Sequence, residues 1–138
     1  MLFTKATAYT LQALIELSNF DRPVDVNTLS KLTDIPRPFL AKLMQNLSKK
    51  GVIKSFKGIN GGFKLIKKPN EIKVIDIFNA MEDKDSLVFY CSKSEENCVR
   101  NRSSICSTMP FFNKLEKELE SIISKYTLED VIRMRADR

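Results

Sequence analysis

The stretch IPRPFLAKLMQNLSKKGVIKSFKGINGGFKLIKKPN, residues 35–70, decides how this chain is read. It contains no Asp or Glu, yet it carries nine cations: Arg37, Lys42, Lys49, Lys50, Lys54, Lys57, Lys64, Lys67 and Lys68. The whole chain nets +6, so everything outside the stretch sums to −3. Positive charge gathered this way calls for a polyanionic partner, because neutralised phosphates release their condensed counterions. A solvated basic surface would share the composition. The order of elements inside the stretch separates the two.

Residues from Arg37 or Pro38 to Lys50 read as a helix with Phe39, Leu40, Leu43, Met44 and Leu47 on its apolar stripe. Gly51 ends it, in the position where a left-handed residue closes a helix. Before it, Asp34-Ile35-Pro36 is a tight turn, since the residue preceding proline avoids the helical region. Val26 to Thr33 forms a further short helix, with Asn27 and Thr28 as candidate caps and Leu29 and Leu32 as its expected buried pair. After Gly51, Val52 to Phe56 and Phe63 to Ile66 alternate as strands around the turn Lys57-Gly58-Ile59-Asn60-Gly61-Gly62. Helix, turn, helix and then a basic hairpin is a winged helix-turn-helix: a mainly α fold with a small β-hairpin wing.

In such a head the second helix enters the major groove and its outward side chains meet base edges and phosphates. The outward positions are Arg37, Pro38, Ala41, Lys42, Gln45, Asn46 and Lys49. Arg, Gln and Asn make bidentate base contacts, and Lys42 and Lys49 suit phosphates; Arg37, Lys42 and Gln45 are the candidates for readout. The wing contributes Lys57 and Asn60, with Gly58, Gly61 and Gly62 letting backbone amides approach the sugar-phosphate edge. Double-stranded DNA is the expected partner.

The chain has 138 residues, with ordinary hydrophobic (43%) and charged (29%) content, enough for a core of its own. It lacks His, which excludes imidazole catalysis and imidazole metal ligation. No phosphate-binding glycine loop opens a helix and no paired carboxylates mark a pocket, so an enzyme is not expected and no catalytic residue is assigned. An enzyme or structural metal protein with an incidental basic face is the reading from a different class. No apolar run reaches the ~18 residues of a membrane span, and the N-terminus lacks a signal peptide's apolar core, so a cytoplasmic location is expected.

Outside the basic stretch, residues 4–20 read as a first helix and roughly 73–82 as a short amphipathic one. Glu82-Asp83-Lys84-Asp85 reads as a polar turn. A long helix is expected from about 109 to 125, with Phe111 or Phe112, Leu115, Leu119, Ile122 and Tyr126 on one stripe suited to pairing with a second copy. Thr127 caps a last helix from 128 to about 135. The expected organisation is a DNA-binding domain over 1–82 with its wing at 52–66, a cysteine-containing loop over 83–108, and a dimerisation helix plus C-terminal helix over 109–138.

That loop holds Cys91, Cys98 and Cys106, spaced Cys-x6-Cys-x7-Cys. The spacing is not that of a zinc ribbon, and three thiolates leave a tetrahedral site one donor short. Soft thiolates favour iron–sulfur clusters, zinc or copper(I). Lys93, Arg100 and Arg102 nearby favour thiolates. The three cysteines are thus candidate ligands of a cluster or members of a thiol redox switch.

Taken together, these features resemble the IscR/NsrR-type family of bacterial winged helix-turn-helix regulators. The likeness covers nearly the whole chain: Met1-Leu2-Phe3-Thr4 followed by Ala8-Tyr9, the head helices, the wing Lys57-Gly58-Ile59-Asn60-Gly61-Gly62-Phe63, the three-cysteine loop before the long helix, and Thr127-Leu128-Glu129-Asp130-Val131. The resemblance implies a homodimer on a palindromic operator, acting as a repressor. It also implies an iron–sulfur cluster on Cys91, Cys98 and Cys106, 2Fe–2S rather than 4Fe–4S, through which redox state, iron or nitric oxide is sensed. A cluster-free thiol-redox or zinc-dependent DNA-binding regulator is the alternative. The chain departs from the family where fourth ligands stand: Met109 occupies the place of a His, and Ala8 that of an acid given by the partner subunit. The fourth ligand is open, with Glu95, Glu96, Asn97, Asn101, an exogenous thiol or water as candidates. Ala41 stands where some members carry a Glu, which implies a different base preference.

Overall fold

Asp34 is the pivot of the head. Its backbone sits in the left-handed region at φ 56° and ψ 28°, which stops α2 (Val26–Thr33) and swings the chain into α3 (Arg37–Lys49). The computed structural model describes residues 2–82 and 86–138. The turn carries Ile35 into the core beside Leu29. Leu32, expected as the partner of Leu29, is instead 47% exposed. The helix ends one residue beyond Leu32, and the turn supplies Ile35 in its place. The cap also differs from expectation. Asp25, with an extended backbone, accepts from the Thr28 amide at 3.2 Å, ahead of Asn27 and Thr28.

The first helix, α1 (Lys5–Leu17), is shorter than its apolar pattern. It buries Ala13, Leu14 and Leu17 against Leu40, Leu43, Met44 and Leu47 of α3. Phe39 is left partly exposed, edge-on to Tyr9 at 5.7 Å. Gly51, at φ 78°, turns the chain out of α3. Strands β1 (Ile53–Phe56) and β2 (Gly62–Leu65) then pair antiparallel, with Ile53 opposite Leu65 and Lys54 opposite Lys64. The hairpin is held to the head by Val24 and Phe63, which exchange backbone hydrogen bonds of 2.9 and 2.8 Å. A Cβ on Gly62 would lie 2.3 Å from the Val24 carbonyl, and its φ of 142° is itself a glycine conformation.

Helix α4 (Val74–Glu82) follows the wing. Glu82, expected in a polar turn, ends this helix in a buried position. It accepts from the Thr4 amide at 2.9 Å, the Thr4 hydroxyl at 2.6 Å and the Thr7 hydroxyl. The rest of that expected turn, residues 83–85, lies outside the described residues. The long helix α5 (Met109–Ile123) leaves Phe111 and Ile122 exposed, as is Tyr126 just beyond it, with Phe112, Leu115 and Leu119 half-buried. Its last turn joins Val74, Ile75 and Phe78 in a second apolar cluster through Ile123. The chain then returns to the head. Val74 and Leu128 donate to the carbonyls of Tyr126 and Ile72 at 2.9 and 2.8 Å. Leu128 opens α6 (Leu128–Ala136) fully buried in the head core. Thr127 and Asp130 cap α6 reciprocally. Arg135 reaches Glu16 on α1 at 3.1 Å.

Two outcomes test this packing. Gly62→Ala should destabilise the chain by about 2 kcal/mol or more, read by chemical denaturation, because the methyl group collides with backbone that cannot yield. Asp25→Ala should cost about 1 kcal/mol at neutral pH. The Thr28 hydroxyl is the main cause holding the Asp25 carboxyl below its ordinary value. The cap therefore contributes fully above the unfolded pKa and fades as pH falls through the lower folded one. The gap between Asp25→Ala and the parent chain should narrow as denaturation is repeated at falling pH.

Candidate nucleic-acid interface and cysteine site

The outward side of α3 presents Arg37, Pro38, Lys42, Gln45 and Lys49 as exposed side chains, with Ala41 and Asn46 half-buried between them. Their placement follows from the opposite side: once Leu40, Leu43, Met44 and Leu47 are buried, helical spacing turns these positions to solvent. On the wing, Lys57, Gly58 and Asn60 are exposed, while Gly61 and Gly62 are half-buried. A Cβ on Gly61 would fall 2.4 Å from the Phe56 carbonyl. These two glycines therefore shape the wing and seat it on the head. The tip also presents Ile59, fully exposed at 103%, a residue the charge-based reading passed over. Its signal was an apolar side chain between Gly58 and Asn60, in a turn with no core to face.

The electrostatics of this face are one-sided. Among the described residues, none of the nine cations of residues 35–70 forms an ion pair. Lys54 and Lys64 stand directly opposite each other across the hairpin. Like charges in that relation destabilise a strand pair. Lys54 leans over the Phe56 ring at 5.2 Å, a partial offset. An anion lying along the wing would relieve both lysines.

The cysteines sit where the loop meets the start of α5. Cys91 is buried at 7%, and Cys98 and Cys106 are half-buried. All three line one cavity of about 600 Å³, together with Arg100, Arg102 and Met109. The expected fourth-ligand candidates Glu95, Glu96, Asn97 and Asn101 are not in its lining. Glu95 to Asn97 form a separate single 3₁₀ turn. Among the described residues, no three Cys, Asp or Glu side chains already converge as a metal-ligand set. The Cys106 thiol is lowered from its ordinary pKa, first by a hydrogen bond with the Thr108 hydroxyl at 3.4 Å, then by the Thr108 and Met109 amides at the start of α5. Arg100 adds a smaller pull. Lys93, expected to act on the thiols, is drawn instead to Glu120 at 3.5 Å.

Residues 3–134 match the Rrf2 family, described as an iron-dependent transcriptional regulator. An HTH-type transcriptional regulator of Aquifex aeolicus is 35% identical over 96% of this chain and 92% of its own length. The regulator NsrR of Bacillus licheniformis is 29% identical over the same shares. Among solved structures, T. potens IscR superposes with a TM-score of 0.72 at 25% identity, covering 96% of this chain and 87% of that one. CymR of B. subtilis shares the fold, with a TM-score of 0.69 at 21% identity and 96% of both chains covered.

The interface assignment has a direct check in fluorescence-anisotropy titrations of duplex DNA. Lys57→Ala should weaken binding to all sequences alike and flatten the salt dependence by about one counterion. Arg37→Ala should cost about 1–3 kcal/mol on the preferred sequence and less on random duplex. Neither should shift the unfolding midpoint, since both side chains are exposed. Unchanged affinity in both would remove α3 and the wing from the interface.

Proposed function

The chain belongs to the Rrf2 family of transcriptional regulators, and from that premise we propose that it represses transcription as a homodimer, using Cys91, Cys98 and Cys106 to hold an iron–sulfur cluster. Two copies would pair through the exposed stripe of α5, where Phe111, Ile122 and the following Tyr126 stand uncovered. That pairing sets two α3 helices and two wings on one duplex, which suits a palindromic operator. Arg37, Lys42 and Gln45 read base edges, Lys49 contacts phosphate, and Lys57 with Gly58 and Asn60 holds the duplex at the wing.

The observation that carries the cluster reading is the sharing of one cavity by three cysteines, with Met109 the one other soft donor among its described lining residues. When bound, a cluster supplies a centre whose redox state, or whose loss, registers oxidant, iron supply or nitric oxide. Cys106 is prepared for ligation, since Thr108 and the first amides of α5 favour its thiolate. Cys91 is buried against the helix, and Cys98 and Cys106 must draw toward it to complete the set. With three thiolates and no carboxylate among the described lining residues, the cluster would be labile, as a sensor requires. The lack of a converged ligand set among the described residues favours a second reading. In it, the same three thiols regulate DNA binding without metal.

Anaerobic purification followed by an absorption spectrum and iron and sulfide assays tests the proposal. A coloured protein holding iron and labile sulfide in equal amounts is expected, with DNA affinity changing when the cluster is lost to air or nitric oxide. A colourless, iron-free protein whose DNA affinity follows thiol oxidation alone would install the second reading.

A further inference from the structure

Glu116 is only 3% exposed, midway along α5, on a helix otherwise buried by apolar groups. One of its oxygens accepts from the Leu87 amide at 2.7 Å. The other accepts from the Val88 amide at 3.0 Å and from the Ser92 hydroxyl. These donors bracket Cys91. Ser92 also closes the turn on itself, its hydroxyl accepting from the Phe89 amide at 3.2 Å and its own amide donating to the Phe89 carbonyl at 3.0 Å. A carboxylate is costly to bury unless its lone pairs are filled, and here they are filled by a single six-residue segment. An apolar residue would pack α5 at less cost, so the choice of Glu needs a reason beyond packing.

The rest of the loop is held differently. The amides of Asn97, Cys98, Asn101, Ile105 and Cys106 each bond to a carbonyl three residues back, which orders single turns; beyond that the Cys106 thiol is held near the start of α5 by the Thr108 hydroxyl at 3.4 Å. Cys98 and Cys106 ride on those turns. Cys91 rides on α5.

We propose that Glu116 is a positioning residue for Cys91, fixing this thiol on α5 as a stationary donor for the metal centre that the loop takes up. The purpose rests on the cluster reading above; the positioning itself is measured without metal. The full chain, reduced and metal-free, is exposed to iodoacetamide, and the alkylation rate of each cysteine is followed by mass spectrometry. In the parent chain Cys91 should react slowest. Glu116→Gln places an amide N–H where a backbone N–H needs an acceptor, and should speed alkylation of Cys91 about tenfold while Cys98 and Cys106 change by less than about twofold. Ser92→Ala keeps both amide bonds and should move Cys91 in the same direction by a smaller factor, so it decides the matter if Glu116→Gln does not fold. Equal acceleration of all three cysteines, or an unchanged Cys91 rate, overturns the proposal, the former because it reports general loosening of α5. Reconstitution of the parent chain with iron and sulfide is scored apart. A chain that takes up no cluster yet shows the selective Cys91 response sinks the cluster reading and leaves the role of Glu116 intact.

Discussion

Two backbone hydrogen bonds between Val24 and Phe63 hold the functional face of this protein together. They attach a two-stranded hairpin, too small to stand alone in water, to the connection between α1 and α2. The Phe63 ring goes into the core with Leu29, Leu40 and Met44. The wing therefore moves with the core that also sets α3. The approach of the two segments is so close that only a residue without a Cβ fits beside Val24, and Gly62 is that residue. Loosening this seam would leave α3 in place and the wing free to swing, and the two would no longer hold a fixed relation.

Charge is treated in two opposite ways in this molecule. Where carboxylates are buried, at Glu82 and Glu116, each is given several donors from a segment distant in sequence. Where cations are exposed, along residues 35–70, they are given no ion-pair partner among the described residues, and Lys54 faces Lys64. The first pattern stabilises the fold. The second costs stability in the free protein and is relieved by a polyanion. The two buried glutamates also mark the joints of the structure: Glu82 locks the start of α1 to α4, and Glu116 locks the entry of the cysteine loop to α5.

Much of the head was legible in the chain. Burial at Leu40, Leu43, Met44 and Leu47 repeats at helical spacing, Gly51 and the Pro36 turn mark the ends of α3, and alternation about a glycine-rich turn marks the hairpin. These are local signals with short-range causes. The errors lay where a distant group decided the outcome. Leu32 has an apolar side chain at a plausible spacing, but Ile35 took the core position because Asp34 folded the chain under it. Glu82 reads as part of a polar turn, because nothing adjacent in sequence announces Thr4 and Thr7, and nothing adjacent to Glu116 announces Leu87, Val88 and Ser92. The lowered Cys106 thiol drew chiefly on Thr108 and the start of α5, ahead of the loop arginines that composition suggested.

By itself the sequence determined the order of elements, the single-signed charge of the wing and α3, and the presence of three soft donors in one loop. Each of these is carried by residue type and short spacing. Only the tertiary structure decided that Leu128 belongs to the head core, that Phe63 pairs with Val24, that the three cysteines line one cavity and that Leu87, Val88 and Ser92 are bonded to Glu116 of α5. Those outcomes depend on which buried groups meet across many tens of residues. Hydrophobic burial is non-directional, so the pattern of apolar residues says that a side chain is buried without saying against what. Partner choice is settled by the hydrogen bonds that burial leaves to be satisfied, and those are visible only once the chain is folded.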